Sequence, residues 1–190
     1  MHTQSHALIN MALLARAHKP HRHGCALLGA ALPDVPIFVL FGVESLILRH
    51  SQSEIWSERY FLPEWQNVID PFNSIPLVLL GVGIGYLLRS DRTRVVCWSM
   101  LLHCLADFFL HREDAHRHFF PFWDYKFNSP ISYWETDYYA GIVSAVEITA
   151  TIGASIYLFP RLRSYIAKAA LIAVNFISVL LYIAFIFVFA

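Results

Sequence analysis

The stretch HCLADFFLHREDAHRHFFPF, residues 103–122, joins an apolar helical pattern to a run of polar, metal-competent side chains. Its first eight residues have the composition of a membrane helix, yet they include His103 and Asp107. These two residues are four positions apart, so they lie on one face of a helix, and His111 continues that face. The stretch therefore predicts a polar helix face at the end of a membrane segment, followed by a turn that folds back over it.

The rest of the chain supports a membrane protein. Of its 190 residues 57% are hydrophobic and only 15% are charged, and the apolar residues cluster in long runs. The formal net charge is zero, so nothing indicates a nucleic-acid partner. Cys25, Cys97 and Cys104 lie in apolar segments without CxxC spacing, which favours packing over a thiolate zinc site.

Hydrophobic length predicts an all-α, polytopic membrane helical bundle. It has about five transmembrane helices, an N-terminal half-helix and interfacial outer segments. We expect a single integral membrane domain, 1–190, in which 1–159 is the core and 160–190 adds a C-terminal transmembrane helix. The five candidate spans are Cys25–Leu48, Phe72–Leu88, Val95–Leu110, Tyr138–Phe159 and Ile166–Ala190.

Basic residues predict the orientation in a bacterial inner membrane. They concentrate in the stretch 16–22 and in the loops 89–94 and 160–165, which alternating spans place on one side, expected to be cytoplasmic. The connections 49–71 and 111–137 then face outward. No Lys or Arg precedes the first apolar stretch, so we expect no cleaved signal peptide.

The outer connections are rich in aromatic residues. Residues 119–139 contain ten of them, and 55–65 mixes aromatics with charges. Such residues favour the headgroup zone, where the first connection is expected as an amphipathic helix. Simple anchoring and a lid or lipid-binding rim are both compatible with this pattern.

An early helical stretch, residues 5–19, is too short to span a membrane. Its basic end belongs with the cytoplasmic group. We therefore expect a half-helix whose N-terminus points into the protein, where surrounding protein buries its backbone.

Four ionisable residues from three segments fall at similar depths. Counted at ~1.5 Å per residue from the cytoplasmic ends, Asp34 and His103 lie roughly 14 and 13 Å deep. His6 and Asp107 lie roughly 18 and 19 Å deep by the same count. Ionisable groups at such depths are costly and usually face a partner or a wet cavity. The prolines in LPDVP interrupt the helix and aim the Asp34 carboxylate inward.

Two imidazoles and two carboxylates are a ligand set that zinc or another divalent metal accepts. We predict one divalent metal ion, with zinc as the leading candidate, held by His6, Asp34, His103 and Asp107. Simpler interpretations exist for each residue. His103 and Asp107 can satisfy each other, Asp34 can cap a broken helix, and His6 can face water.

The polar run after the helix offers further candidates. His111 is the first choice for a catalytic role beside Asp107. His116 and His118, together with Glu147, are candidates for a second metal or for substrate contacts. A solvated, charged loop is the alternative.

Three motifs, TQSHALINMALL, GAALPDVP and LLHCLADFFLHREDAHRHFFPFWDYKFNSPISYW, resemble the bacterial membrane-bound metal-dependent hydrolases. That family includes the LexA-binding inner-membrane hydrolases, and the similarity covers about residues 3–147. The order of motifs is also similar to the zinc-dependent phospholipase C and single-strand nuclease superfamily. There an early His, a later Asp and an HxxxD pair help to hold zinc ions. The matching positions are His6, Asp34, His103 and Asp107, with His111 or His116 at the next His.

Two departures from the superfamily pattern affect what the resemblance implies. Those phospholipases use a free mature N-terminus as a ligand, and this chain shows no cleavage site that would create one. They also carry an HxxxE pair, whereas here Glu147 has Val143 in the place of the His. The resemblance therefore implies one metal more strongly than a second or third.

The leading functional expectation is a metal-dependent hydrolase acting on a phospholipid or another amphiphilic phosphoester at the outer interface. Asp107 is expected to bridge or to act as general base. The alternative is a non-catalytic membrane subunit or assembly factor, which docks partners through 166–190 and the aromatic outer loops. A third hypothesis, an ion or proton pathway, lacks a chain of polar residues that reaches both sides.

Overall fold

The computed structural model describes residues 1–16 and 18–189, with side chains to residue 187, and these parts of the chain form helices and no β-strand. Short 3₁₀ or π segments extend several helices, most of them next to prolines. The α-helices are α1 (Thr3–Leu14), α2 (His21–Ala31), α3 (Val35–Gly42), α4 (Gln52–Ser57), α5 (Pro63–Ile69), α6 (Ile75–Leu87), α7 (Asp91–Phe108), α8 (Ala140–Leu158) and α9 (Tyr165–Phe189).

Four helical segments of the described chain are long and apolar enough to cross a membrane. They overlap the first, second, fourth and fifth spans expected from the sequence. α7, which covers the third, does not have that composition, because Asp91, Arg92, Arg94 and Asp107 all lie within its 18 residues. The count of five spans therefore stays a prediction. The four segments are His21–Ile47, Pro63–Leu87, Ala140–Arg161 and Tyr165–Phe187.

α7 packs against α1, α2 and α6, so its polar face is turned toward protein. Gly29 allows α2 to pack closely against α7. A Cβ added at Gly29 would lie 2.2 Å from the Val96 carbonyl oxygen and 2.7 Å from Ser99 Cβ. At this contact the Ser99 hydroxyl donates to the Ala26 carbonyl at 2.6 Å. Close approach thus brings backbone acceptors of α2 within reach of the polar face of α7.

The LPDVP motif interrupts the helix as its prolines predict. A 3₁₀ turn, Leu32–Asp34, follows α2, and α3 continues from it toward a π-helical turn, Val43–Ile47. Pro36 lies in the first turn of α3, where a helix tolerates proline, but without an N–H it cannot continue the hydrogen-bond ladder of α2 into α3. Asp34 sits at the end of the 3₁₀ turn.

α1 is shorter than the expected half-helix of residues 5–19. It ends at Leu14 because Ala15 adopts an extended conformation, and the chain then turns through a bridge between Arg16 and Lys19. As expected, the helix begins inside the protein, where Ser5 and His6 are buried. α1 packs against α2, α7 and α8.

The first outer connection is not one interfacial amphipathic helix. It forms two short helices, α4 and α5, that pack onto the end of α3 around Leu40, Ile55 and Ile69. The cause is a buried carboxylate, Glu44, at which several donors from this segment converge. They are Arg59 Nε at 3.0 Å, Trp65 Nε1 at 2.7 Å and His50 Nδ1 at 2.7 Å.

The second outer connection, 111–137, consists largely of turns held by buried polar contacts. The Ser129 hydroxyl donates to the Phe109 carbonyl at 2.6 Å. The Arg112 guanidinium lies 3.6 Å from the centroid of the Tyr138 ring. These contacts fold the connection back over the outer end of α7, as the opening stretch predicts.

Candidate metal centre

Asp107, on the last turn of α7, lies at the centre of a buried polar cluster and is only 1% exposed. Its Oδ1 lies 2.9 Å from His6 Nε2, and its Oδ2 lies 2.9 Å from His103 Nε2. The amino nitrogen of Met1 is 2.8 Å from Oδ1. Both carboxylate oxygens are therefore engaged by nitrogen atoms from α7 itself and from the start of the chain.

Asp34 completes the convergence of three segments. Its Oδ1 lies 3.5 Å from His103 Nε2, and its Oδ2 accepts a 2.5 Å hydrogen bond from the Thr3 hydroxyl. One potential ligand atom each from His6, His103 and Asp107 lies within 4.8 Å of the others. Asp34 does not belong to that group of three, but it contacts the group through His103, so all four residues that the depth count selected lie near one another.

The hydrogen bonding of His103 prepares one ring nitrogen to act as a ligand. Its Nδ1 lies 2.7 Å from the Ala30 carbonyl oxygen, which can only accept, so Nδ1 carries the proton. In the neutral ring the Nε2 lone pair then faces the carboxylates of Asp34 and Asp107. Nε2 is buried and has no partner in hydrogen-bonding geometry, although Asp107 is close. Metal-binding histidines commonly donate their other N–H to a backbone carbonyl in this way.

His6 is a second imidazole with one nitrogen that has no hydrogen-bond partner. It is fully buried, with Nε2 at Asp107 and with Nδ1 lacking any hydrogen-bond partner. Its ring stacks on that of His103, with centroids 3.6 Å apart. Unsatisfied buried nitrogens are costly, and a cation bound among these rings and carboxylates would compensate that cost.

His111 lies at the outer edge of the cluster. Its Nε2 is 3.5 Å from Asp107 Oδ2, and its Nδ1 donates to Asp114 Oδ2 at 2.7 Å. Burial lowers the pKa of His111, but the charges of Asp107 and Asp114 outweigh burial and raise it to about 9. Asp114 therefore fixes both the orientation and the proton of the imidazole predicted to be catalytic.

His116 and His118 lie behind His111 and do not line the open groove. His118 Nδ1 donates to the Asn73 carbonyl at 2.9 Å, and His116 Nδ1 lies 3.8 Å from Asp70 Oδ1. Burial lowers the pKa of His116 to about 3 and also lowers that of His118. Neutral, buried rings that do not line the groove are poorly placed for the substrate contacts that the sequence suggested. No second group of three ligand atoms with metal-binding spacing occurs in the described chain.

Glu147 pairs with the start of the chain. Its Oε1 accepts from the backbone N–H of His2 at 3.0 Å and lies 2.9 Å from His2 Nδ1. Its Oε2 is buried without a partner. The imidazole beside Glu147 therefore comes from the opposite end of the sequence and not from position 143, where the resemblance would place it.

A groove of about 1060 Å³ lies beside the cluster. Its ionisable wall includes Asp34, His111, Glu113 and Asp114, together with His2 and the chain start at Met1, and no Lys or Arg of the described chain lines it. Aromatic rings form much of the remainder. These are Phe38, Trp56, Tyr60, Phe61, Tyr133 and Trp134.

Four contributors escaped the sequence analysis, and one of them is the amino group of Met1, 2.8 Å from Asp107 Oδ1. Asp114, three residues after His111, carried a usable signal, because a carboxylate at that spacing commonly orients a histidine. Thr3 and His2 carried none. Their roles depend on where α1 packs among the other helices, and the hydrophobic periodicity of the sequence does not predict that packing.

Comparisons with known proteins found no match to this chain. No protein-family model matches the chain, and no curated protein and no solved structure matches it at a significant level. The family resemblance remains a prediction from its motifs.

Proposed function

We propose that this protein is a multi-pass membrane hydrolase with one divalent metal ion, most simply zinc, bound by His6, Asp34, His103 and Asp107. One observation carries the proposal. Two imidazoles and two carboxylates from three chain segments converge in the protein interior beside a large outward groove. A set of this kind suits zinc, and the buried His103 Nε2, which has no hydrogen-bond partner, supports a role as a metal ligand.

Bound there, a divalent ion would lower the pKa of a water molecule and polarise the scissile group. The chain's own groups would position the reactants. Asp107 lies within 2.9 Å of His6 Nε2, His103 Nε2 and the Met1 amino nitrogen, and it is placed to bridge or to accept a proton from water. His111, oriented by Asp114, borders the groove where a substrate would lie.

The groove favours an amphiphilic substrate. Phe38 on α3 is 57% exposed and Trp56 on α4 is 44% exposed, so the apolar wall continues onto the surface of the membrane-type helices. Such a wall suits an acyl chain, while the polar floor suits a headgroup. A phospholipid or another phosphoester is the substrate class that the family resemblance favours.

The proposal includes the topology expected from the basic loops. Residues 16–22, 89–94 and 160–165 would face the cytoplasm of a bacterial inner membrane. The groove, with α4, α5 and the 111–137 connection, would then lie at the outer interface, in contact with membrane lipids.

The test compares Asp107→Asn with wild type and with the control Asp124→Asn, whose carboxylate is 83% exposed. Membrane abundance, melting in detergent with and without added zinc, and headgroup release from mixed phospholipids are measured. The proposal expects normal abundance and lost hydrolysis for Asp107→Asn alone. It fails if wild-type protein hydrolyses nothing across a broad panel of lipids and phosphoesters.

The competing function is a non-catalytic subunit of a larger membrane complex. It is favoured by α9, of which only 11% of the apolar span is buried in the chain itself. Zinc-dependent melting without any hydrolysis would support this alternative. A partner would then be sought on 166–190 and the aromatic outer loops.

A further inference from the structure

A carboxylate–imidazole pair lies next to the candidate metal centre but outside it. Glu147 is a buried acid of α8, with its side chain 3% exposed, whereas the His2 side chain is 48% exposed. The Glu147 Oε1 atom accepts both the backbone N–H and the ring of His2, at 3.0 and 2.9 Å. A buried acid thus holds a half-exposed imidazole by two contacts.

The residues on either side of His2 in the sequence, Met1 and Thr3, contact the candidate metal centre. Met1 contacts Asp107 at 2.8 Å, and Thr3 donates to Asp34 at 2.5 Å. The backbone of His2 is therefore fixed on both sides by the two carboxylates of the cluster. His2 also lines the groove proposed to bind substrate. Its imidazole stands where a substrate bound at the centre would extend.

The proton positions of His2 follow from its partner. An ionised Glu147 can only accept, so the ring donates through Nδ1. Nε2 then remains for another partner, and it makes no hydrogen bond to any described residue. The Tyr133 ring packs edge-on against the imidazole, with centroids 5.5 Å apart, and limits its rotation. A histidine held by a carboxylate through Nδ1 is a common arrangement for proton transfer at Nε2.

We propose that His2 is the general acid of the hydrolase and that Glu147 is its positioning residue. This inference rests on the proposed function. For a phosphoester, water forms a new P–O bond while the bond to the alcohol oxygen breaks. His2 acts as an imidazolium, which keeps the Nδ1 proton toward Glu147 and carries a second proton, taken up from solvent in the groove, on Nε2. This second proton passes to the departing oxygen, which leaves as a neutral alcohol, and His2 becomes the neutral ring. The attacking water gives one proton to the base at the centre, and solvent in the groove later restores the proton of His2.

Leaving-group chemistry distinguishes this role from simple binding. A phenolate such as 4-nitrophenolate leaves without protonation, whereas an alkoxide needs an acid. The test uses two dodecyl phosphodiesters in detergent micelles, one that releases 4-nitrophenol and one that releases ethanol. His2→Asn is expected to lose about 100-fold or more on the ethyl ester, the usual range of acid–base catalysis. It should change little on the nitrophenyl ester.

Glu147→Gln and Ser178→Ala extend the test. Glu147→Gln keeps the shape of the carboxylate but loses its charge, so it should follow the same leaving-group pattern with a smaller loss. Ser178 and Glu147 both line a small cavity of about 100 Å³, which is separate from the groove. The Ser178 hydroxyl is buried and has no hydrogen-bond partner. Ser178→Ala therefore reports any effect of disturbing the cavity alone and is expected to be neutral.

Two readouts do not depend on activity. The metal bound per chain should be the same in His2→Asn as in wild type, because His2 is not a ligand. Diethyl pyrocarbonate should modify His2 before the buried His6 and His103, as mass spectrometry of the peptides can show. Protection of His2 equal to that of His6 would overturn the inference, because Nε2 would then be closed to substrate.

The kinetic outcomes separate the two proposals. Equal loss on both esters, or no loss on either, would overturn the role of His2 and leave the hydrolase standing. If wild-type protein cleaved neither ester nor any member of the lipid panel, the proposed function would fall and the acid role with it.

Discussion

The imidazole rings of His6 and His103 lie face to face, with centroids 3.6 Å apart and planes inclined by 13°. Each ring reaches a different oxygen of Asp107, at 2.9 Å. Two stacked, buried rings cannot both be protonated without strong repulsion. A divalent ion bound between them would satisfy a lone pair of each ring and the carboxylate together.

The close contact of α2 and α7 should be required for stability. Gly29→Ala places a Cβ 2.2 Å from the Val96 carbonyl oxygen, so the helices must separate. Overpacking of this kind typically costs about 1–3 kcal/mol. The melting temperature in detergent should fall accordingly.

Gly24→Ala is the matched control on the same helix, because a Cβ at Gly24 meets nothing within 4 Å. Its melting temperature should be unchanged or slightly raised, since alanine favours a helix over glycine by about 0.5–1 kcal/mol. Equal melting of the two variants would contradict the described packing of α2 on α7.

Asp114 should matter through His111. Asp114→Asn replaces the carboxylate that accepts from His111 Nδ1 at 2.7 Å, so the ring loses its charged anchor. Loss of such an orienting partner commonly costs about 10- to 100-fold in activity. Hydrolysis by purified protein measures the effect, with the exposed Asp124→Asn as control. An Asp114→Asn enzyme as active as that control would remove His111 from the mechanism.

Stability should decline on acidification because of His116. Burial lowers its pKa from the ordinary 6.5 to about 3, so between these values the unfolded chain binds a proton that the folded chain excludes. Folding stability contributed by the neutral ring is thus present above pH 6.5 and is lost as the pH falls. The slope approaches about 1.4 kcal/mol per pH unit for one such group.

Denaturation in detergent between pH 7 and pH 5 measures this slope. His116→Gln cannot take up the proton, so its stability should depend less steeply on pH than that of wild type. An identical slope in both proteins would show that the His116 ring is already protonated or solvated in the folded state.

The sequence predicted the centre better than its surroundings. His6, Asp34, His103 and Asp107 could be selected because helix rise converts position into depth, and because apolar segments make polar residues conspicuous. The break at LPDVP was equally readable, since proline removes a backbone donor. These are local or one-dimensional signals, and the structure places the residues together accordingly.

Contacts between residues that are far apart in the sequence could not be predicted from it. Glu147 finds its imidazole in His2, at the far end of the sequence, while the motif comparison looked four residues away at Val143. The 49–71 connection folds into two packed helices because Glu44 gathers donors from it, and nothing in its composition identifies that acceptor. α7 lacks the composition of a membrane span because it carries four charged residues, and that neighbouring helices cover its polar face could not be predicted from its composition.

Orientation is tested by cysteine accessibility in intact cells, in a background without Cys25, Cys97 and Cys104. Ser164→Cys lies in the exposed basic loop between α8 and α9, and Asp124→Cys lies in the outer connection. A membrane-impermeant thiol reagent should label the position 124 variant and spare the position 164 variant until cells are opened. The reverse pattern would invert the topology and place the groove on the cytoplasmic side.

The most direct test of the central claim is the metal content of the protein purified without chelator, measured by inductively coupled plasma mass spectrometry. The account predicts about one divalent ion per wild-type chain, as expected for a single site of this ligand set. Asp34→Ala and His103→Ala should lose that ion, whereas Asp91→Asn, which alters the ion pairs at the other end of α7, should keep it. Wild-type protein that holds no more metal than Asp34→Ala, even after incubation with zinc, would contradict the account.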